Sequence, residues 1–357
     1  MTTNFRADCL PVLIGSLPLH DHAEGVRLVF EYTPEIPLWI QLPAYKEEGM
    51  ITQFQPGFPG LKMEKNESFI DTSDPSFDDD LLGFYEDYMA VKEGKIALED
   101  SRFVLTADTA GGFFSFAEQL QTLSDRPVAV KGQITGPITF GLGLTERNGK
   151  AVFYNEQLRD AAVKLLAQKA RWQVRKLSGF GCPVIVFFDE PALAGFGSSA
   201  FISISRDNVL NCFEEVIESV HDEGGFAGIH VCANADWSLL LESATDIISF
   251  DAYSFFDKLV LYPDLVKSFV ESGGILAWGI VPTLNSDDIE KETTDSLVAK
   301  WEEQARAIQA IGIDKSTILA QTLITPSCGT GSLSLDHAKK VLVLTRQVSD
   351  IIRKKFL

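Results

Sequence analysis

Eight short apolar runs alternate with segments of helical period along this chain, and that alternation limits the folds open to it. The runs are Leu10 to Gly15, Pro37 to Leu42, Val128 to Gln133, Val184 to Phe188, Gly228 to Cys232, Ile247 to Asp251, Ile275 to Ile280 and Ile318 to Ile324. Each is 5 to 7 residues long, and most are bounded by Gly, Pro or Asp, the pattern of parallel strands buried on both faces. Between them, Asn155 to Leu177, Arg206 to Glu223, Tyr262 to Ser272, Ser286 to Ile311 and Leu335 to Lys355 read as helices. Leu158, Ala161, Ala162, Leu165 and Leu166 repeat at the spacing of a helix lying on a sheet. Eight strands alternating with helices predict an α/β fold, a single (β/α)8 TIM barrel over residues 1–357. A dinucleotide-binding sheet is excluded, because no Gly-x-Gly-x-x-Gly turn follows any run.

The second and third runs are separated by residues 43–127, an elaborated segment. Its first part is rich in Gly, Pro and Gln and reads as loop, and from Asp78 to Leu123 it reads as helical around an acidic stretch. No repeat, low-complexity tract or linker divides the chain. Its 357 residues are 45% apolar, enough for a sizeable core, but no apolar stretch approaches the roughly 20 residues of a membrane span. The formal net charge of −19 argues against nucleic acid or an anionic membrane as partner. Met1 to Asp8 lacks the apolar middle of a secretory signal. Five cysteines without framework spacing point to a reducing compartment, so a cytoplasmic location is expected.

The chemistry-bearing residues collect at the ends of the runs, the end of such a barrel at which active sites form. His230-Val231-Cys232 closes the fifth run; residues two apart on a strand share a face, so His230 and Cys232 can grip one ion. Cys328, just after the eighth run, adds a third soft ligand of the type zinc prefers. Asp251 ends the sixth run, placed either to be a fourth zinc ligand or to cap the following helix. Cys9 and Cys182 fall at strand entrances and Cys212 inside a helix, where each reads as a small buried side chain.

Asp189 and Glu190 end the fourth run, Val184 to Phe188, and acids there need a reason, since unpaired buried carboxylates are costly. Asp189 could hold a cationic substrate group such as an α-amine, or pair with an Arg or Lys of the barrel. Ile14-Gly15-Ser16 ends the first run; its backbone N–H groups could take a carboxylate, or it is a plain strand-to-turn transition. Lys131-Gly132-Gln133-Ile134-Thr135-Gly136-Pro137 ends the third run similarly. His20 and His22 flank Asp21 before a helix and read as solvated rather than as a second metal site.

Together, Ile14-Gly15-Ser16, Lys131-Gly-x-x-Thr-Gly-Pro-x-Thr139, Asp189-Glu-Pro-Ala-Leu193, His230-x-Cys232, the acid at Asp251 and Ser327-Cys-Gly329 resemble the catalytic C-terminal half of cobalamin-independent methionine synthase. The resemblance covers most of the chain and lies within the superfamily that also holds uroporphyrinogen decarboxylase and the corrinoid-linked methyltransferases. It implies a (β/α)8 barrel and a zinc-dependent methyltransferase (zinc on His230, Cys232, Asp251 and Cys328) acting on a small-molecule thiol. The thiol it implies is homocysteine, giving methionine, with the Ile14 to Ser16 backbone on its carboxylate and Asp189 on its amine. Two departures stand out. The family's fourth zinc ligand is usually Glu, where this chain has Asp251. The family's second homocysteine-contacting carboxylate has no evident counterpart between Trp39 and Ile51. Full-length synthases also carry an N-terminal barrel that helps bind methylfolate, which this chain does not span. The expected donor is therefore a methylcorrinoid, with a corrinoid protein as partner, in preference to methylfolate. The alternatives are a uroporphyrinogen decarboxylase-like enzyme, which would need cationic side chains in the mouth, and a non-catalytic zinc-binding accessory protein of a methyl-transfer system.

Overall fold

The apolar runs become the staves of one curled parallel sheet in the computed structural model, which describes residues 5–65, 67–197, 201 and 204–357. Residues 1–4, part of the N-terminal stretch considered above, lie outside the described residues. The strands are β1 (Leu10–Pro11), β2 (Leu61–Glu64), β3 (Glu67–Ile70), β4 (Val130–Thr135) and β5 (Val184–Asp189). They continue with β6 (Phe226–Val231), β7 (Ile247–Phe250), β8 (Ile275–Val281) and β9 (Thr322–Pro326). The sheet has seven strands in the order β1-β9-β8-β7-β6-β5-β4, all parallel; β2 and β3 form a separate antiparallel hairpin. This is the curl of a TIM-like barrel with one stave irregular.

That stave is Pro37 to Leu42, expected as a strand. It is joined to the sheet only by isolated bridges, Leu38 to Lys131 at one edge and Gln41 to Ser16 at the other. Side chains claim groups a ladder would use: Gln133 Nε2 donates to the Trp39 carbonyl at 2.7 Å. Pro37 has no N–H to offer. The first run is likewise shorter as a strand than expected, with Leu10–Pro11 alone in the ladder. The eighth run divides, Ile318 to Ala320 completing a helix and Thr322 to Ile324 lying in β9.

Helices cover the outside. They are α1 (His22–Tyr32), α2 (Phe77–Lys92), α3 (Gly111–Gln121), α4 (Pro137–Gly143), α5 (Glu156–Ser178), α6 (Arg206–His221) and α7 (Trp237–Leu241). Then follow α8 (Ala252–Leu259), α9 (Pro263–Glu271), α10 (Ser286–Lys291), α11 (Thr294–Ala310), α12 (Lys315–Ala320) and α13 (Leu335–Phe356). The Asn155 side chain caps α5 by accepting from the Gln157 and Leu158 amides, and the stripe from Leu158 to Leu166 is buried on β4 and β5. The segment read as one helix from Ser286 to Ile311 is two, because Thr293 and Ser296 form a capping box that starts α11 afresh. Between residues 43 and 127 lie three short 3₁₀ turns, the β2–β3 hairpin, α2 and α3; the hairpin stands where loop was expected.

The inner face of the sheet is apolar at the strand entrances, where Leu10, Val12, Ile36, Ile185, Ile247 and Leu323 form one cluster. Fully burying such side chains contributes about 1.5–3 kcal/mol each. The described residues contain no helix long and apolar enough to cross a membrane.

Candidate metal centre and substrate cavity

Strand register brings the first ligand into place: Asp189, His230 and Ser249 are direct neighbours across β5, β6 and β7. Cys232 follows β6, and Cys328 lies in the loop after β9. One ligand atom each from His230, Cys232 and Cys328 lie within 4.8 Å of one another, the only such convergence of His, Cys and acidic groups among the described residues. His230 Nδ1 is 2.9 Å from Ser249 Oγ, while its Nε2 is buried with no hydrogen-bond partner. With Nδ1–H donating to Ser249, Nε2 keeps its lone pair, as a metal-ligating imidazole held by an outer partner requires. The thiols interact too: a hydrogen bond from Cys328 pulls the Cys232 thiol well below its ordinary range, helped by His230. Cys328 is pushed up by that same bond and by burial. An unpartnered imidazole nitrogen beside two cysteine sulfurs is a donor set that suits zinc.

Asp251 stands outside this convergence. It caps α8, with Oδ1 accepting from the Ser254 amide at 2.9 Å. Its Oδ2 is nevertheless buried without a partner, and its carboxyl is pushed up to about 6, mainly by burial, with Cys232 adding to the shift. One oxygen thus serves the helix and the other is unused.

Asp189 is 8% exposed and its Oδ1 is buried without a partner. Burial pushes its carboxyl up to about 6, opposed by His230 and Lys131. Among the described residues no Arg or Lys forms an ion pair with it. The nearby buried cation, Lys131, spends its hydrogen bonds elsewhere: Nζ donates to the Ile14 carbonyl at 2.5 Å and to Gln133 Oε1 at 3.2 Å. Glu190, by contrast, is satisfied. Its oxygens accept from the Ile138 and Thr139 amides at 2.9 and 2.8 Å and from the Thr139 hydroxyl at 2.6 Å. It sits so close to Gly136 that a Cβ there would lie 2.3 Å from its carboxyl carbon. The Thr-Gly-Pro and Asp-Glu-Pro motifs therefore meet through Glu190, leaving Asp189 free.

A cavity of about 380 Å³ opens on these groups. Its walls include Ile14, Ser16, Asp189, His230, Cys232 and Cys328, together with Gln41, Met50 and Glu48. No lysine or arginine is among the described residues that line it, which disfavours a substrate with several carboxylates. The loop after Cys328 lies on Ser16, with the Thr330 amide donating to the Ser16 carbonyl at 3.0 Å and the Gly331 amide to Ser16 Oγ at 3.2 Å.

Glu48 is the lining residue that sequence reasoning missed. It is 4% exposed; Oε2 accepts from the Leu42 amide at 2.8 Å and Oε1 is 2.6 Å from His22 Nε2. In the sequence it is one of two adjacent acids, and its neighbour Glu47 is exposed, so only the turn of the chain tells them apart. The same contact accounts for His22, while Asp21 caps α1 and His20 is exposed.

No protein-family model and no curated protein matches the sequence. Among solved structures, the fold is similar to that of a B12-independent methionine synthase from Shewanella sp. W3-18-1 in complex with selenomethionine. The TM-score is 0.56 at 16% identity, covering 97% of this chain and 98% of the other. It is also similar to a methyltransferase from Methanosarcina mazei, with a TM-score of 0.52 at 12% identity, covering 91% of this chain and 84% of that one. At these identities the likeness is one of fold.

Proposed function

We propose that this protein is a zinc-dependent methyltransferase that moves a methyl group to the sulfur of a small amino-acid thiol, homocysteine, to give methionine. The observation that carries the reading is the convergence of His230, Cys232 and Cys328 on the wall of a cavity that Asp189, Ile14 and Ser16 also line. Similarity of fold to a B12-independent methionine synthase and to a methyltransferase supports it.

His230, through Nε2, and the sulfurs of Cys232 and Cys328 would hold the metal, with Asp251 Oδ2 as the nearby fourth donor. Zinc bound there would lower the pKa of a substrate thiol so that a thiolate exists at neutral pH. Two cysteine thiolates would keep the net charge of the site low. Ser249 fixes the imidazole tautomer. Asp189, whose Oδ1 has no protein partner, would accept from the substrate ammonium; Glu48 also lines the cavity, but its two oxygens are already engaged by the Leu42 amide and His22. The Gly15 and Ser16 amides, unpartnered among the described residues, would take the carboxylate. Holding both ends of the amino acid orients its sulfur for in-line attack, the kind of positioning that contributes much of an enzyme's rate.

The test is turnover. Zinc-loaded protein with homocysteine should demethylate methylcobalamin, seen in its visible spectrum, and release methionine; methyltetrahydrofolate, offered separately, identifies the donor. Methionine from neither donor would overturn the reading and leave a zinc-binding protein without turnover.

A further inference from the structure

We propose that Lys131 is a positioning residue for the carboxylate end of the substrate: it fixes the Ile14–Ser16 turn from beneath so that the turn's amides stay free for an anion. The inference deepens the proposed function and depends on that reading of the cavity. Lys131 does not line the cavity; it lies on the inner face of β4, fully buried, one layer below the mouth. Its ammonium donates to the Ile14 carbonyl at 2.5 Å and to Gln133 Oε1 at 3.2 Å, and it sits 4.5 Å from the centre of the Phe187 ring.

A buried cation is expensive unless its environment compensates it, and an apolar side chain of similar size would serve packing as well. Packing therefore does not explain a lysine here, whereas its partners do. Ile14 has left the β1 ladder, so its carbonyl has no strand partner and would otherwise be buried unsatisfied. Lys131 satisfies it and also anchors Gln133, whose Nε2 holds the Trp39 carbonyl at 2.7 Å. Gly15 is wedged against that same glutamine: a Cβ on it would lie 3.1 Å from Gln133 Cδ and 2.8 Å from Gln41 Oε1. The turn is thus fixed from below by one charged hydrogen bond and from the side by two amides. Its Gly15 and Ser16 N–H groups are left unpartnered among the described residues. Two neighbouring unpartnered amides on one fixed turn favour an anionic ligand.

The experiment compares two thiols on zinc-loaded wild-type protein and on Lys131→Met, by calorimetry. The thiols are homocysteine and 3-aminopropanethiol, which has the same amine and sulfur but no carboxylate. Lys131→Met should weaken homocysteine by about 10- to 100-fold, the range for losing a charged hydrogen bond, and change 3-aminopropanethiol by less than about twofold. Zinc content should be unchanged, and kcat at saturating homocysteine should fall far less than kcat/KM. Lys131→Gln, which keeps a neutral donor for the Ile14 carbonyl, should recover part of the loss, and it carries the test if the methionine variant does not fold. Equal weakening of both thiols, or none for homocysteine, would overturn the role of Lys131. If the wild-type protein itself binds the two thiols equally, the carboxylate site falls, and the role of Lys131 falls with it. That outcome is read on the wild type alone, so it is distinct from a failure confined to Lys131.

Discussion

At the strand entrances the inner face of the sheet carries Leu10, Ile185, Ile247 and Leu323; a few residues further along the same strands it carries Ile14, Asp189, Asp251 and the loop to Cys328. The cysteines divide the same way. Cys9, at an entrance, donates weakly to the Leu319 carbonyl at 3.5 Å, and burial pushes its thiol up to about 12. Cys212, inside α6, is pushed up to about 12 for the same reason. Both are neutral side chains that fill space. At the mouth, burial of Cys232 is opposed by a hydrogen bond from Cys328 and by His230, and its thiol is pulled down. Burial lowers two buried lysines alike, to about 7, and they differ in their partners. Lys169, on α5, has one carbonyl partner, that of Val104 at 3.0 Å, whereas Lys131 beneath the mouth has two hydrogen-bond partners and a ring. What separates reactive from packing side chains in this protein is the company they keep, since members of both groups are buried.

The contrast can be broken most sharply at the cysteines. Cys232→Ser or Cys328→Ser should each reduce zinc from about one equivalent per chain to a small fraction, since three ligands define the site. Cys212→Ser and Cys182→Ser should keep their zinc. Elemental analysis of metal-replete protein decides, and a mouth variant that retained full zinc would erase the distinction between the two groups. A smaller effect is expected at Asp189. Asp189→Asn should weaken homocysteine by about 10- to 100-fold, as for loss of a charged hydrogen bond, with zinc retained; calorimetry together with metal analysis would show both. The smallest effect lies away from the mouth. Burial lowers Lys169 from its ordinary 10.5 to about 7, so between those values the unfolded chain binds a proton that the folded one has shed. Stability should then rise with pH from about 7 toward 10.5. In Lys169→Met that part of the slope should vanish, as measured by denaturant unfolding at several pH values.

Much of the fold was legible because buried parallel strands write themselves as unbroken apolar runs. Val184 to Phe188 and Ile275 to Ile280 lie within β5 and β8, and the periodic stripe of α5 was read to within a residue at each end. Pro37 to Leu42 misled for a physical reason: it is apolar and buried like a strand, but side chains of Gln133 and Glu48 take the Trp39 carbonyl and the Leu42 amide, leaving only isolated bridges to the sheet. The Ser286–Ile311 break was hidden because Thr293 and Ser296 act through a local cap, without Pro or Gly to mark it.

His230, Cys232 and Cys328 were legible as a group because donor chemistry and position at strand ends are properties of the sequence. Asp189 and Ile14 to Ser16 were legible as candidates for the same reason. Which of two adjacent acids does what was not. Asp189 is left free and Glu190 consumed because the start of α4 happens to lie against Glu190, and Glu48 faces the cavity while Glu47 faces solvent. Such outcomes depend on which groups from distant segments arrive within hydrogen-bonding range, and that is decided only when the chain folds. The sequence determined the alternation, the apolar interior and the gathering of His, Cys and Asp donors at one end of the strands; tertiary structure decided which polar groups are already satisfied and which remain unpaired.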